Sequence, residues 1–83
     1  MTPDDIKARI QTALPDAEVR VTDTTGGGDH FSATVVSAAF ADKGLVDRHR
    51  LVYAALGEVM RGNHAPIHAL ALTTETPEEV RRK

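Results

Sequence analysis

Cysteine is absent from this sequence of 83 residues. Its absence excludes disulfides, thiolate nucleophiles and zinc sites of the cysteine type. No apolar run approaches the roughly 20 residues that a membrane-spanning helix needs, and the first residues carry no signal-peptide core. The expectation is a cytoplasmic protein without membrane attachment. Strong charge of one sign is also missing: 10 basic side chains face 12 acidic ones, for a net charge of −2. A general nucleic-acid binder, which gains affinity by neutralising phosphates, normally shows the opposite balance. There is no repeat, linker or low-complexity stretch beyond Gly26-Gly27-Gly28. With 41% hydrophobic residues, the chain reads as one domain over 1–83 with a modest core, because a domain of this size buries only about 60% of its unfolded surface.

The local signals are ordered. Thr2-Pro3-Asp4-Asp5 has the spacing of a capping box with proline at the first helical position. Ile6, Ile10, Ala13 and Leu14 then recur at helical spacing until Pro15-Asp16. Ala17, Val19 and Val21 alternate with polar residues as a strand. The glycine loop follows, and Phe31, Ala33 and Val35 mark a second strand over 31–37. Two strands joined by a short glycine loop predict an antiparallel hairpin. After a connector at 40–44, Leu45, Val52, Leu56, Val59 and Met60 line one side of a helix that Gly62 and Asn63 end. His64-Ala65-Pro66 is a turn, and residues 67–74, IHALALTT, form a well-buried strand. Thr76 caps a short last helix with a basic tail, Arg81-Arg82-Lys83, where positive charge is favoured. The order α-β-β-α-β-α, with a helical crossover before the third strand, predicts an α+β fold: a three-stranded mixed sheet with helices packed on one face.

This topology gathers histidines. If the second and third strands are parallel neighbours, their starts share one end of the sheet with the glycine loop. His30 precedes the second strand and His68 lies near the start of the third; His64 belongs to the same end. Two imidazoles about one or two strand spacings apart can share a borderline metal, or ligate one iron of a 2Fe–2S cluster. Simpler readings stand beside this one: His30 as an exposed turn residue, His64 as a solvated turn residue, and His68, which alternates with Leu70 and Leu72, as a packed rim residue. His49 falls on the stripe of Leu45 and Val52 and reads as a packing or hydrogen-bonding histidine. With no cysteine, the chain cannot complete a cluster alone, so the missing thiolates must come from another molecule. The three glycines predict a loop that is disordered in the free protein and lets His30 settle in a complex.

The runs RHRLVYAALGEVM at 48–60 and IHALALTTETPEE at 67–79, with VVSAAF at 35–40, resemble the BolA family across nearly the whole chain. The resemblance implies a class II KH-like fold and a partnership with monothiol glutaredoxins. It implies a bridging 2Fe–2S cluster, whose cysteine ligands come from glutaredoxin and glutathione, with none held by this chain alone. His68, in the H-A-L motif, is the implied family ligand. His30 is the loop residue carried over as the second ligand, with His64 the alternative. Two positions depart from the family pattern: Asp42 stands where a connector glycine is frequent, and Val80 where tryptophan is common after T-P-x-E. The function so implied is that of a non-enzymatic adaptor or regulator in iron–sulfur assembly, trafficking or iron sensing. The free protein is expected to be monomeric, with weak homodimerisation as the alternative.

The competing reading is a BolA-type nucleic-acid-binding transcriptional regulator that uses Arg48, Arg50, Arg81, Arg82 and Lys83 on phosphates. A KH clamp needs a G-x-x-G loop between helices, and no such motif lies between the helical segments here. An enzyme is not expected, since no nucleophile and base stand in a recognisable arrangement.

Overall fold

Thr2 begins the first helix as its spacing predicts. Its hydroxyl accepts the Asp5 N–H at 3.2 Å, and its own N–H donates to the Asp5 carboxylate at 2.9 Å. The Thr2 N–H foremost, with the Thr2 side chain, holds the Asp5 carboxyl below its ordinary range. The computed structural model describes residues 1–60, 67 and 69–82, without the Glu58 side chain. Helix α1 spans Pro3–Ala13, β1 Glu18–Asp23 and β2 His30–Val36; a 3-10 turn at Ala38–Phe40 leads to α2 at Leu45–Leu56. A second 3-10 turn, Gly57–Met60, is followed by β3 at Ala69–Glu75 and α3 at Pro77–Arg81. Thr76 repeats the capping box at α3, accepting the Glu79 N–H at 3.1 Å and donating its own N–H to Glu79 at 2.8 Å.

The sheet order is β1-β2-β3. β1 and β2 are antiparallel, with Glu18 opposite Val36 and Asp23 opposite Phe31. β2 and β3 are parallel, with His30 opposite Ala69 and Val36 opposite Glu75. Because successive side chains alternate faces, Val19, Phe31, Ala33 and Val35 point into the core, where they meet Ile6 and Ile10 of α1 and Val52 and Leu56 of α2. Leu70 and Leu72 of β3 pack against the same cluster. Arg20, Ser32, Thr34, Ala71 and Thr73 occupy the opposite face, which is polar or small in side chain. The architecture is the α+β arrangement of the sequence reading, with the mixed three-stranded sheet in the expected order.

Three details differ from expectation. α2 stops at Leu56, because Gly57 adopts φ +56° and ψ −124°, a conformation that glycine accepts without a side-chain clash. The apolar period continues through Val59 and Met60 only because the chain tightens into the 3-10 turn; the expected terminators Gly62 and Asn63 lie outside the described residues. Leu45 was expected on the buried stripe, but it is 65% exposed, with Val46 beside it at 62%. The first turn of α2 overhangs the core. β3, expected to be well buried, is an edge strand with Ala69, Ala71 and Thr73 exposed. Its uniform apolarity hid the two faces, since alanine serves on either. Ile67 lies just before the strand, buried, with its N–H bonded to the Val59 carbonyl at 3.0 Å. Asp42 takes φ +62° in the connector, the left-handed conformation that aspartate tolerates better than most residues.

Candidate functional site

The loop end of the sheet is built around the Asp23 carboxylate. Its Oδ1 accepts the N–H groups of Thr25 at 3.2 Å and Gly26 at 2.9 Å, and its Oδ2 accepts that of Gly28 at 2.9 Å. Partial burial pushes the pKa of this carboxyl up, but the N–H groups of Gly26, Thr25 and Gly28, aided by nearby His30, outweigh it and hold the group below its ordinary range. Gly26 and Gly28 both turn through positive φ, +78° and +77°, which lets the loop wrap the carboxylate. The loop is therefore internally tied, in contrast to the disordered loop expected from three glycines. An aspartate followed within a few residues by Thr-Thr-Gly-Gly is an Asx-turn signal that sequence reasoning passed over.

His30 is held by its backbone on both sides. Thr24 donates its N–H at 2.9 Å and its hydroxyl at 3.2 Å to the His30 carbonyl. The carbonyl of Asp29 accepts the N–H of Ala69 at 3.3 Å. The imidazole stands on the side of β2 occupied by Ser32 and Thr34, away from the core. Its Nε2 is 3.8 Å from the Asp29 carboxylate, and the two side chains are 46% and 41% exposed. Ala69, its register partner, is the residue after His68 in the sequence. His68 and His64 lie outside the described residues. Among the described residues no group of three or more histidine, cysteine, aspartate or glutamate side chains converges as a metal site. His49 is half-buried, with its ring edge-on to Tyr53 at 6.4 Å, which agrees with a packing residue.

The basic residues gather elsewhere. Arg48 makes a two-pronged pair with Glu79, at 2.7 and 3.3 Å, while its Nε donates to the Lys43 carbonyl at 2.9 Å. Its side chain is only 14% exposed. The Arg48 guanidinium, with the Thr76 N–H, draws the Glu79 carboxyl down to about 2. Arg82 pairs with Glu78 at 2.6 Å, and Arg50 stands 4.0 Å from Asp47. Arg48, Arg81 and Arg82 share a cleft of about 500 Å³ with Asp42, Glu78 and Glu79, a surface of mixed charge at the end of the sheet opposite His30. Lys83 lies outside the described residues. At that same far end, Asp16 accepts the Ala38 N–H at 2.8 Å and the buried Ser37 hydroxyl at 2.9 and 3.1 Å. Those bonds, the backbone one foremost, keep its carboxyl below the usual value. No described helix is long and apolar enough to cross a membrane.

Comparison with known proteins agrees with this geometry. The family model described as BolA-like protein matches residues 7–79. BolA-like protein 1 of Mus musculus is 35% identical over 83 residues, covering 92% of this chain; the chain spans only 58% of that relative's length. The solved structure of a bolA protein homologue from Coxiella burnetii superposes with a TM-score of 0.82 at 41% identity, covering 99% of both chains. The BolA domain of SufE1 from Arabidopsis thaliana gives a TM-score of 0.79 at 32% identity, with 93% of each chain covered. A family match over most of the chain, carried on the same fold, shows that this protein belongs to the BolA family.

Proposed function

We propose that this protein is a non-enzymatic, cytoplasmic adaptor in iron–sulfur cluster handling. It docks on a monothiol glutaredoxin, and His30 and His68 serve as nitrogen ligands to a 2Fe–2S cluster whose thiolates come from glutaredoxin and glutathione. One observation carries the reading. His30 is fixed by its backbone at the loop end of the sheet, with its side chain 46% exposed and in register with Ala69, the residue that follows His68 in the sequence. The donor chemistry suits such a cluster. A half-exposed imidazole is a competent ligand for iron, and a chain without cysteine requires a companion that brings sulfur. Imidazole in place of thiolate removes negative charge from the cluster and raises its reduction potential. The Asp23 cradle adds preorganisation, because the ligand-bearing segment is already shaped before docking.

The experiment is a titration of this protein into glutaredoxin loaded with a 2Fe–2S cluster, followed by visible circular dichroism. A new spectrum that is lost in His68→Ala and altered in His30→Ala supports the proposal. His64→Ala, run alongside, tests whether the turn histidine is the second ligand instead. The nucleic-acid reading is less well supported by the geometry. Arg48 is engaged with Glu79 and Lys43, and Arg82 with Glu78, leaving a cleft of mixed sign rather than a basic surface.

A further inference from the structure

Two of the three loop glycines are explained by backbone shape, since Gly26 and Gly28 turn through positive φ. Gly27 does not, and its role is spatial. A Cβ at Gly27 would stand 3.2 Å from Oδ1 of Asp29 and 3.4 Å from Oγ1 of Thr25. The missing side chain leaves room for the Asp29 carboxylate to lie against the loop.

The other oxygen of that carboxylate, Oδ2, is 3.8 Å from Nε2 of His30. Asp29 takes no part in the cradle, where both oxygens of Asp23 accept loop N–H groups. The backbone holds the pair in place: the Asp29 carbonyl accepts the Ala69 N–H at 3.3 Å, and the His30 carbonyl accepts the Thr24 N–H at 2.9 Å. At 3.8 Å the carboxylate and the ring are within electrostatic reach but farther apart than a hydrogen bond allows. Both side chains are nearly half exposed, so solvent weakens the contact in the free protein.

We infer that Asp29 is a positioning residue for His30: its carboxylate takes the Nε2–H side of the ring, Nδ1 carries the lone pair offered to iron, and the carboxylate charge lowers the reduction potential of the cluster. The role at the cluster rests on the adaptor reading; the state of the ring does not. A neutral imidazole has one N–H and one lone pair. A carboxylate beside one nitrogen favours the proton there, fixes the tautomer and raises the basicity of the other nitrogen. A partner seated over the loop end removes water, and the pair strengthens in the lower dielectric. A negative charge close to the cluster opposes the added electron, as does a more basic imidazole. His30 and Asp29 therefore pull the potential in opposite directions, the imidazole upward and the carboxylate downward.

Nitrogen NMR of the imidazoles in the free protein, with the His30 signals assigned from His30→Ala, tests the state of the ring. The neutral ring is expected to hold its proton on Nε2, and Asp29→Ala to shift the population toward the Nδ1–H tautomer. A ring protonated on Nδ1 in the unaltered protein, or tautomer proportions that Asp29→Ala leaves unchanged, overturns the inference. In the glutaredoxin complex, a redox titration of the 2Fe–2S cluster should give a higher potential with Asp29→Asn than with the unaltered protein. Glu18→Gln, which removes a charge at the far end of the sheet, should leave the potential in place. About ten-fold more of the Asp29→Asn protein should be needed for the half-maximal change in visible circular dichroism, the low end of the effect of losing a carboxylate behind a ligating histidine. A potential that Asp29→Asn does not move, or that Glu18→Gln moves equally, overturns the inference. If the unaltered protein leaves the cluster spectrum unchanged, the adaptor reading fails and the role at the cluster fails with it, while the ring measurement still decides the pairing of Asp29 with His30.

Discussion

His30 and Ala69 are register partners across the parallel β2–β3 pair, and the carbonyl just before His30 accepts the Ala69 amide. A hairpin loop and the entry to a strand far along the chain are thereby joined at one backbone bond. The adaptor reading depends on that junction, because it fixes His30 beside Ala69, the residue that follows His68 in the sequence.

If the Asp23 carboxylate organises the loop, its removal should release it. Asp23→Ala is expected to leave the fold intact while raising the amide exchange rates of Thr25, Gly26 and Gly28, whose N–H groups lose their acceptor. In the glutaredoxin titration the same variant should bind more weakly, since the loop must then be ordered on docking. Unchanged exchange at these three amides would contradict the cradle.

Gly57 and Gly44 offer a contrast in backbone strain. Gly57 holds φ +56° where α2 stops, whereas Gly44 has φ −73° and open space around a would-be Cβ. Gly57→Ala should destabilise by roughly 1–2 kcal/mol, the usual cost of a side chain forced to positive φ. Gly44→Ala should be within about 0.5 kcal/mol of the parent, as for other surface changes. Urea unfolding midpoints of the two variants measure the difference.

Phe31 sits on the central strand one residue after His30 and is buried against the helices. Phe31→Ala is expected to cost about 3–5 kcal/mol through lost transfer energy and the cavity left behind. A domain this small has little stability to spare. Thermal unfolding should therefore report a variant largely unfolded at moderate temperature.

Acid should uncouple Arg48 from Glu79. The folded Glu79 carboxyl titrates at about 2, below its ordinary 4.5. A depressed carboxyl contributes its stabilisation above the unfolded value and loses it as pH falls toward the folded one. Glu79→Gln should thus lower the urea midpoint at pH 6, with the gap from the parent closing between pH 4.5 and about 2. A gap that does not vary with pH would mean that the ion pair contributes nothing.

The parts of the fold that local chemistry decides were legible in the sequence. Thr2 and Thr76 cap their helices because the side chains that close each box stand three residues away. The alternation of Phe31, Ala33 and Val35 set the inward face of β2, and the crossover rule set β3 parallel to it. What was not legible depends on distant partners or on geometry that pattern does not encode. Arg48 and Glu79 are 31 residues apart, so no local spacing marks the arginine as paired. Gly57 interrupts α2 inside an apolar period that continues on either side of it. β3 looked buried on both faces because its alanines fit either environment, although a third strand that pairs only with β2 stands at an edge of the sheet. At the candidate site, the end of the sheet that holds His30 was foreseeable from topology, whereas the Asp23 cradle required attention to one aspartate before the glycines.

The most direct test of the account is the visible circular dichroism of a glutaredoxin-held 2Fe–2S cluster on addition of this protein, compared with its His30→Ala and His68→Ala variants. The account predicts a new spectrum with the unaltered protein, its loss on removing His68 and its alteration on removing His30. An unchanged spectrum with the unaltered protein, or the same new spectrum from both variants, would contradict it.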